Sequence, residues 1–262
     1  MKQPAPRKRR STIRHSTDAD VQAIYAWLVE QDRRKIPGSF LCNWGLTEKC
    51  HGDGELLVYI DGESSVPVAY QWGGLIQPGI LEVRHDMRGR GIGSKLVDRR
   101  LAEAYKRDHC ILKIQCKPFT SIPFWKKMGF TLLVSDDDNN YAYRILEKKH
   151  QLPPEGDPIG VIIRVYPEEK NWENNVLPFS VYEPTAVATA DGIVNLGERV
   201  AFTNALHRNG RDAIVEIEIA DVVRYCDKAR YEEADKIGVH RCENGFYIDR
   251  ILPTGRSQNG DA

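Results

Sequence analysis

Apolar residues in the first 150 positions follow two spacings, one typical of helices and one typical of strands. Val21, Ile24 and Leu28 recur three to four residues apart, which predicts an amphipathic helix over residues 18–31 with Thr17 as its N-cap. The same spacing predicts a second helix over residues 92–105. Strands are predicted at residues 11–15, 55–60, 66–72, 79–84, 110–116, 130–134 and 141–146, a short helix at 123–127, and irregular structure at 32–54.

The second half of the chain has a different pattern, in which strands predominate. Residues 151–158 contain three prolines and one glycine and are predicted to be a linker. Beyond them, strands are predicted at residues 160–166, 186–190, 199–203, 213–223 and 246–251, and a helix at 227–237.

These patterns predict an α/β (α+β) fold with two domains. We expect a mixed, mostly antiparallel central sheet with flanking helices at residues 12–150, and a smaller β-rich domain at residues 159–253. Residues 1–11 and 254–262 are expected to be disordered tails.

The net charge of zero is unevenly distributed. Residues 1–150 carry a net charge of +7 and residues 151–262 a net charge of −7, which favours two units of different character. Four consecutive basic residues, residues 7–10, lie in the N-terminal tail. A solvated tail is the simpler interpretation, and an arm that binds nucleic acid or an acidic partner is the alternative.

The composition, 41% hydrophobic and 28% charged, is that of an ordinary globular protein. No stretch approaches the roughly 18 apolar residues of a membrane span, and the basic N-terminus lacks the apolar core of a secretory signal. We therefore expect a cytoplasmic protein with reduced thiols and no membrane partner. Cys42, Cys50 and His51 lack a fourth ligand at zinc-like spacing, so we expect no metal.

The most informative segment is residues 81–94, in which a predicted strand leads through a glycine-rich turn into a helix. The first turn of a helix has unpaired N–H groups and a partial positive charge. Gly89, Gly91 and Gly93 would let a phosphate approach those groups, and Arg88 and Arg90 add positive charge. The glycine spacing fits neither a P-loop nor a dinucleotide-binding loop.

Residues 88–93 match the (R/Q)-x-x-G-x-(G/A) motif of the GNAT acetyltransferases. About thirty residues later, Pro123-Phe124-Trp125-Lys126-Lys127-Met128-Gly129-Phe130 resembles that family's second motif, a short helix closed by Gly-Phe. Together with the order of predicted elements, the two motifs resemble the family over residues 12–147.

The resemblance implies acetyl-CoA as co-substrate and assigns the residues that would bind it. Backbone N–H groups of residues 88–94 would bind the pyrophosphate, and the backbone of Val83 would pair with the pantetheine arm between the strands that end at Val83 and Cys116. The predicted cofactor-binding residues are Leu81, Val83, Arg88, Gly89, Arg90, Gly91, Ile92, Gly93, Ser94 and Trp125.

The resemblance also implies that Glu82 is the catalytic base, because many members have a glutamate on this strand. Strand residues alternate faces, so Glu82 would face the acceptor while Val83 offers its backbone to the cofactor. A solvated or arginine-paired Glu82 is the alternative. Trp125 stands where many members have a tyrosine that acts as general acid, and an indole N–H cannot supply a proton. Tyr141 or Tyr143 could substitute, although packing is the favoured role for both.

Two further positions depart from the family pattern. His85 stands where the family often has proline, and we expect it to be a surface histidine. The asparagine that is common near the end of the family's fifth strand is missing, and Pro118 stands at about that position.

The acceptor side is less well specified. Phe40, Trp44 and Trp72 are candidates for an acceptor pocket, although core packing is favoured for each. Cys116 is a candidate for a reactive thiol, but we expect it to be a buried apolar side chain, as most free cysteines are. Asp212, Glu216 and Glu218 are expected to form a solvated acidic face rather than a metal site.

The resulting hypothesis is an N-acetyltransferase that acts on a primary amine of a small molecule, peptide or protein. The alternatives are a catalytically impaired acyl-CoA-binding protein that acts through its C-terminal domain and a nucleic-acid-associated protein that uses the basic N-terminal tail. That domain is a candidate for docking, specificity or oligomerisation, and a second copy of the chain is a candidate partner.

Overall fold

The computed structural model describes residues 10–133, 140–173, 175–203 and 212–253. These residues divide into two compact units. Unit 1 takes the described parts of Met1–Asp108, Lys113–Leu132 and Asn140–Ala142, and unit 2 takes those of His109–Leu112, Leu133–Asn139 and Tyr143–Ala262.

The N-terminal elements form two sheets together with helices, rather than the one central sheet that the sequence predicts. They are β1 (Thr12–His15), α1 (Asp18–Arg33), α2 (Trp44–Gly52), β2 (Leu57–Ile60), β3 (Pro67–Trp72), β4 (Ile80–Val83), α3 (Ile92–Lys106), β5 (Ile111–Gln115), α4 (Ile122–Lys127), β6 (Thr131–Leu132) and β7 (Tyr141–Ile145). Thr17 caps α1 in a capping box with Asp20, which confirms the predicted start of that helix.

The strands β1-β2-β3-β4 form an antiparallel sheet in that order. On one face, Tyr70, Trp72 and Ile80 pack in a core that includes Ile24 and Leu28 of α1. On the other face, Leu81 and Val83 pack against a core that includes Ile92 and Leu96 of α3. The two faces follow from the alternation of side chains along each strand.

β4 is the last strand of this sheet, and β5 belongs to a second sheet of order β5-β7-β6. Near β4, residue Lys113 of β5 pairs in parallel with Ile76, and its N–H donates to the Leu75 carbonyl oxygen at 3.0 Å. One edge of β4 therefore pairs with no strand of the β1-β2-β3-β4 sheet.

The prediction of irregular structure at residues 32–54 is wrong, because Leu41–Asn43 form a 3-10 turn and Trp44–Gly52 form α2. Gly45 and Gly52 disfavour a helix by about 1 kcal/mol each relative to alanine. Tertiary packing overrides that preference, since Trp44 and Cys50 pack against the core that also holds Ile24 and Tyr70.

Unit 2 contains two antiparallel sheets that share one core. Their orders are β10-β9-β13-β14 and β15-β16-β12-β11-β8. The core combines Ile163 and Ile217 of the first sheet with Leu196 and Phe202 of the second. The elements are β8 (Asp157–Pro158), β9 (Val161–Tyr166), β10 (Ser180–Tyr182), β11 (Ala186–Ala188), β12 (Val194–Thr203), β13 (Ile214–Ile219), β14 (Val222–Lys228), α5 (Glu232–Lys236), β15 (His240–Cys242) and β16 (Gly245–Ile251).

Two predictions in this half are wrong. The single strand predicted at residues 213–223 is a hairpin, in which Ala220 and Asp221 adopt φ of +47° and +62° between β13 and β14. The signal was missed because such turns usually contain Asn or Gly. The helix predicted at residues 227–237 is shortened to α5, because β14 continues to Lys228 in its pairing with β13.

The other strand predictions are confirmed to within a few residues, apart from β12, which is longer than predicted. The strands β10 and β15 were not predicted from the sequence. Within the segment predicted as a linker, Asp157 and Pro158 pair with β11. The predicted tails at residues 1–11 and 254–262 lie almost wholly outside the described part of the chain, so they stay predictions. Among the helices of the described residues, none is long and apolar enough to cross a membrane.

Gly245 gives a test of the packing in unit 2. A Cβ at this position would lie 2.1 Å from the Phe202 carbonyl oxygen, whereas a Cβ at Gly160 would have no atom within 4 Å. We expect Gly245→Ala to lower the free energy of unfolding by about 1–3 kcal/mol, because the paired strands must move apart. The matched change Gly160→Ala should stay within about 0.5 kcal/mol of the parent. Urea unfolding followed by circular dichroism measures both, and equal stability of the two variants would contradict this account of the packing.

Candidate active site

The turn between β4 and α3 has the open backbone that the sequence predicts. β4 is followed by a 3-10 turn at His85–Met87, and Gly91 is the N-cap of α3. Gly89 and Gly91 have φ of +77° and +74°, and neither would bring a Cβ within 4 Å of another atom. Glycine is therefore needed here for the left-handed backbone, and the space in front of the α3 N-terminus is free for a ligand.

A cleft of about 700 Å³ adjoins this turn. All residues that surround it belong to unit 1. Of the predicted cofactor-binding residues, all but Arg90 line the cleft, namely Leu81, Val83, Arg88, Gly89, Gly91, Ile92, Gly93, Ser94 and Trp125. The Arg90 side chain instead donates from Nη2 to the Asp86 carbonyl oxygen at 3.3 Å.

The backbone of Val83 faces the open edge of β4. Val83 stands opposite Ala69, and the next residue, Arg84, donates its N–H to the Val68 carbonyl oxygen at 2.8 Å. Because alternate residues of an antiparallel strand bond the same neighbour, the N–H and C=O of Val83 point away from β3. The carbonyl oxygen accepts a hydrogen bond from Arg88 Nε at 3.0 Å.

The helix α4 borders the same cleft through aromatic residues. Phe124 lies beside Gly93, where a Cβ would come within 3.4 Å of its ring. Trp125 is buried and packs edge-on against Phe124 and Phe130, with ring centroids 5.0 and 5.3 Å away. Trp125 therefore combines a packing role with its place in the cleft wall.

Glu82 also lines the cleft, on the face of β4 opposite to Leu81 and Val83. The residue is nevertheless only 2% exposed. Its carboxylate accepts three hydrogen bonds, from Gln31 Nε2 at 3.0 Å, the Phe40 N–H at 3.0 Å and the Tyr70 hydroxyl at 3.1 Å. The alternative that Glu82 is a solvated charge is therefore wrong.

Opposing effects set the acidity of Glu82. Burial raises the pKa of Glu82 above its usual value, and the three donors and the charge of Arg88 reduce that rise. Burial and the neighbouring Glu82 also raise the pKa of Tyr70, so the phenol stays protonated and donates. The site therefore holds a carboxylate with weakened preference for the charged form, which is what a general base near neutral pH requires.

Gln31 is a residue of this site that the sequence analysis missed. Its Oε1 accepts the His85 N–H at 2.8 Å while its Nε2 donates to Glu82, so both ends of the amide are fixed. Gln31 lies at the end of α1 and is 2% exposed. A buried polar residue on the apolar face of a predicted helix is the signal that could have identified it.

Two of the three aromatic candidates for an acceptor pocket line the cleft. Phe40 and Trp72 line the cleft. Trp44 is not among the lining residues that the structure describes, and its ring packs on Tyr25 at 4.9 Å.

Other candidate residues are explained by their surroundings. Burial raises the pKa of the Cys116 thiol to about 11, which opposes reactivity as a thiolate. His85 is half-buried rather than a surface residue, and its Nδ1 is enclosed with no partner among the described atoms. Tyr141 lies under the Lys113 ammonium group at 4.9 Å, and Tyr143 packs in a cluster with Cys110 and Ile111.

The candidate metal ligands have protein partners. His51 bonds Ser16 Oγ at 2.7 Å through Nδ1 and Asp18 at 2.9 Å through Nε2. Within the described ranges, the one group of three ligand-type residues found close together is in unit 2, namely Cys110, Cys242 and Glu243. There the Cys110 sulfur accepts a hydrogen bond from the Arg199 guanidinium at 3.1 Å.

The expectation of a solvated acidic face in unit 2 is wrong. Arg164 Nη1 binds Glu216 at 2.8 Å and Glu218 at 2.7 Å. Asp212 pairs with Lys228 and Arg230. The acids are therefore paired with basic residues of neighbouring strands and of the turn after β14.

Comparisons with solved structures find neighbours that cover about half of this chain. Ard1 from Thermoplasma volcanium is 20% identical over 52% of this chain and 97% of its own, with a TM-score of 0.39. A ribosomal-protein-alanine N-acetyltransferase from Brucella melitensis is 23% identical over 52% of this chain and 99% of its own, with a TM-score of 0.39. The putative acetyltransferase yncA from Salmonella typhimurium, solved with its cofactor acetyl-CoA, is 20% identical over 55% of this chain and 98% of its own, with a TM-score of 0.40.

A search of curated protein sequences finds no match to this chain. The sequence model of the acetyltransferase (GNAT) family matches residues 20–130. This range contains most of α1, the strands β2 to β5, the glycine turn and the helix α4 with its closing Gly129-Phe130. The family model thus supports, over residues 20–130, the resemblance to the GNAT acetyltransferases that the two sequence motifs indicate.

Proposed function

We propose that this chain is an N-acetyltransferase that transfers the acetyl group of acetyl-CoA to a primary amine by direct attack. The observation that carries the proposal is the position of one buried carboxylate, Glu82, in the same cleft as the open glycine turn of α3. A base and an anion-binding turn in one cleft are what this reaction requires.

In this proposal the α3 N-terminus binds the pyrophosphate of the co-substrate through the N–H groups of residues 88–94. The fit rests on the glycines at 89 and 91, whose missing side chains leave open space, and on the free N-terminus of a 15-residue helix. The open edge at Val83 would bind the pantetheine amides. Bound acetyl-CoA supplies an acyl group activated as a thioester.

Glu82 would take the proton that the amine must lose, directly or through one water. The nitrogen forms a bond to the acyl carbon, the carbon–sulfur bond breaks, and the electron pair leaves with the sulfur. The Val83 N–H is the candidate donor to the carbonyl oxygen, where negative charge develops. Trp125 has no transferable proton, so solvent would protonate the departing thiolate.

Substitution of Gly91 by Glu tests the anion-binding turn. A carboxylate at this position would meet the pyrophosphate, so we expect the Kd for coenzyme A to rise about 100-fold, equivalent to about 2.7 kcal/mol. Gly54→Glu is the matched control, because Gly54 has a similar φ of +73° and open space but does not line the cleft. Calorimetry measures both Kd values, and unchanged affinity in Gly91→Glu would refute the proposed cofactor site.

The pH dependence of Glu82→Gln tests the proposed base. The amine must be uncharged, so log kcat/KM should rise with slope 1 as pH increases. Below the raised pKa of Glu82, protonation of the base adds a second unit of slope in the parent enzyme. We expect Glu82→Gln to keep slope 1 throughout and to lower kcat about 10²- to 10⁴-fold.

The control for this variant is its affinity for coenzyme A, which should stay unchanged because Glu82 lies on the opposite face of β4 from Leu81 and Val83. Parent-like kcat in Glu82→Gln would exclude a catalytic role for the carboxylate. Binding of coenzyme A by the parent without turnover of any amine would favour the acyl-CoA-binding alternative.

A further inference from the structure

The cleft contains one half that differs in chemistry from the glycine turn. We call it the carboxylate half, and it is formed by Phe40, Asn43, Leu46, Trp72, Ile80 and Glu82. From its lining we infer that the acceptor is a primary amine carried by an apolar group. This inference rests on the proposed acetyltransferase function.

The carboxylate half lies on the α1–α2 side of the sheet. Trp72 and Ile80 belong to the core on that face, and Phe40 packs against it. Leu81 and Val83 pack on the α3 face, below the glycine turn. An amine that reaches Glu82 therefore approaches on the face opposite to α3.

The wall of this half is apolar. Phe40, Leu46 and Ile80 present hydrocarbon, and the Trp72 indole N–H is already used in a hydrogen bond to Thr47 Oγ1 at 3.1 Å. The amide of Asn43 accepts the Cys42 thiol through Oδ1 at 3.2 Å. A group bound here gains mainly by removal of its apolar surface from water.

Charged residues line the cleft, and Glu82 is the one acid among those that the structure describes there. The charged residues that the structure shows in the lining are Glu82, Arg88, Lys113, Lys117 and Lys127. Glu82 is the acid of this set, and its carboxylate already accepts three donors. An acceptor with a second cationic group would find no further acid in this lining, so its charge would be desolvated without a partner.

The apolar wall also favours the chemistry. Desolvation disfavours the charged form of an amine and lowers its pKa, which increases the fraction that can attack. A polycationic or strongly hydrated acceptor would resist this transfer, whereas an aliphatic or aromatic amine would enter it readily. The same surroundings therefore select the acceptor and prepare its nitrogen.

Two sources could supply such an amine, a small alkylamine or arylalkylamine and the N-terminus of a peptide with an apolar first residue. A matched panel separates them. The small amines are pentylamine, cadaverine and δ-aminopentanoate, and the peptides share one sequence after a first residue of Leu, Phe, Lys or Glu. Thiol release and product mass report acetylation of each.

We expect kcat/KM for the apolar member of each series to exceed that of its charged analogues by about tenfold or more. The series with the larger values identifies the source of the amine. Preference for cadaverine, or for the peptide that begins with Lys or Glu, would overturn the inference.

Leu46 provides the structural test, because it lines the cleft and is 50% exposed, so a polar side chain there is compatible with folding. We expect Leu46→Glu to lower kcat/KM for the apolar amine, mainly by raising KM. The ratio of kcat/KM for the apolar amine to that for the cationic analogue should fall or reverse. Leu46→Lys should also raise KM for the apolar amine but shift the preference toward the anionic analogue. Leu177→Glu makes the same change at an exposed leucine of unit 2 and should leave the preference unchanged.

The affinity for coenzyme A distinguishes failure of this inference from failure of the proposed function. If the parent protein does not bind coenzyme A, the proposed function itself is refuted. Intact affinity with no acetylation of any apolar amine, or an unchanged preference in Leu46→Glu, would refute the inference about the acceptor.

Discussion

The open edge of β4 is the constraint on which the candidate site depends. One edge of this strand pairs with β3, and the Val83 N–H and C=O point away from that ladder. The period-two alternation of the same strand sends Glu82 to one face of the sheet and Leu81 and Val83 to the other. The four residues of β4 therefore supply backbone groups that point away from the ladder, a carboxylate and the lead into a glycine turn. None of these features could move by one position without exchanging the two faces.

Glu82 shows how a buried charge is accommodated in this domain. An isolated carboxylate with 2% exposure would be neutralised by protonation, since desolvation raises its pKa. Three donors from α1, from the segment before α2 and from β3 oppose this effect. The same bonds tie the strand to the elements that surround the carboxylate half of the cleft. Stability and the protonation state of the site are thus set by one network.

Unit 2 combines a shared apolar core with ion pairs. Its two sheets share a core that contains side chains such as Ile163, Phe202 and Ile217, which are 1% exposed or less. Glu216 and Glu218, whose side chains are 13% and 17% exposed, are both paired with Arg164, so these charges have a partner. Among the residues that the structure describes, none of those that line the cleft belongs to unit 2.

Local patterns in the sequence were enough to predict the resemblance to the GNAT family, the glycine turn and most elements. Gly89 and Gly91 adopt the left-handed backbone that only glycine accepts readily. The helical spacing of Val21, Ile24 and Leu28 predicted α1. Tertiary structure alone decided α2, which forms against the propensity of its glycines, and the hairpin at Ala220-Asp221. It also decided the protonation environment of Glu82, because the donors Gln31, Phe40 and Tyr70 come from three distant segments that no local pattern connects.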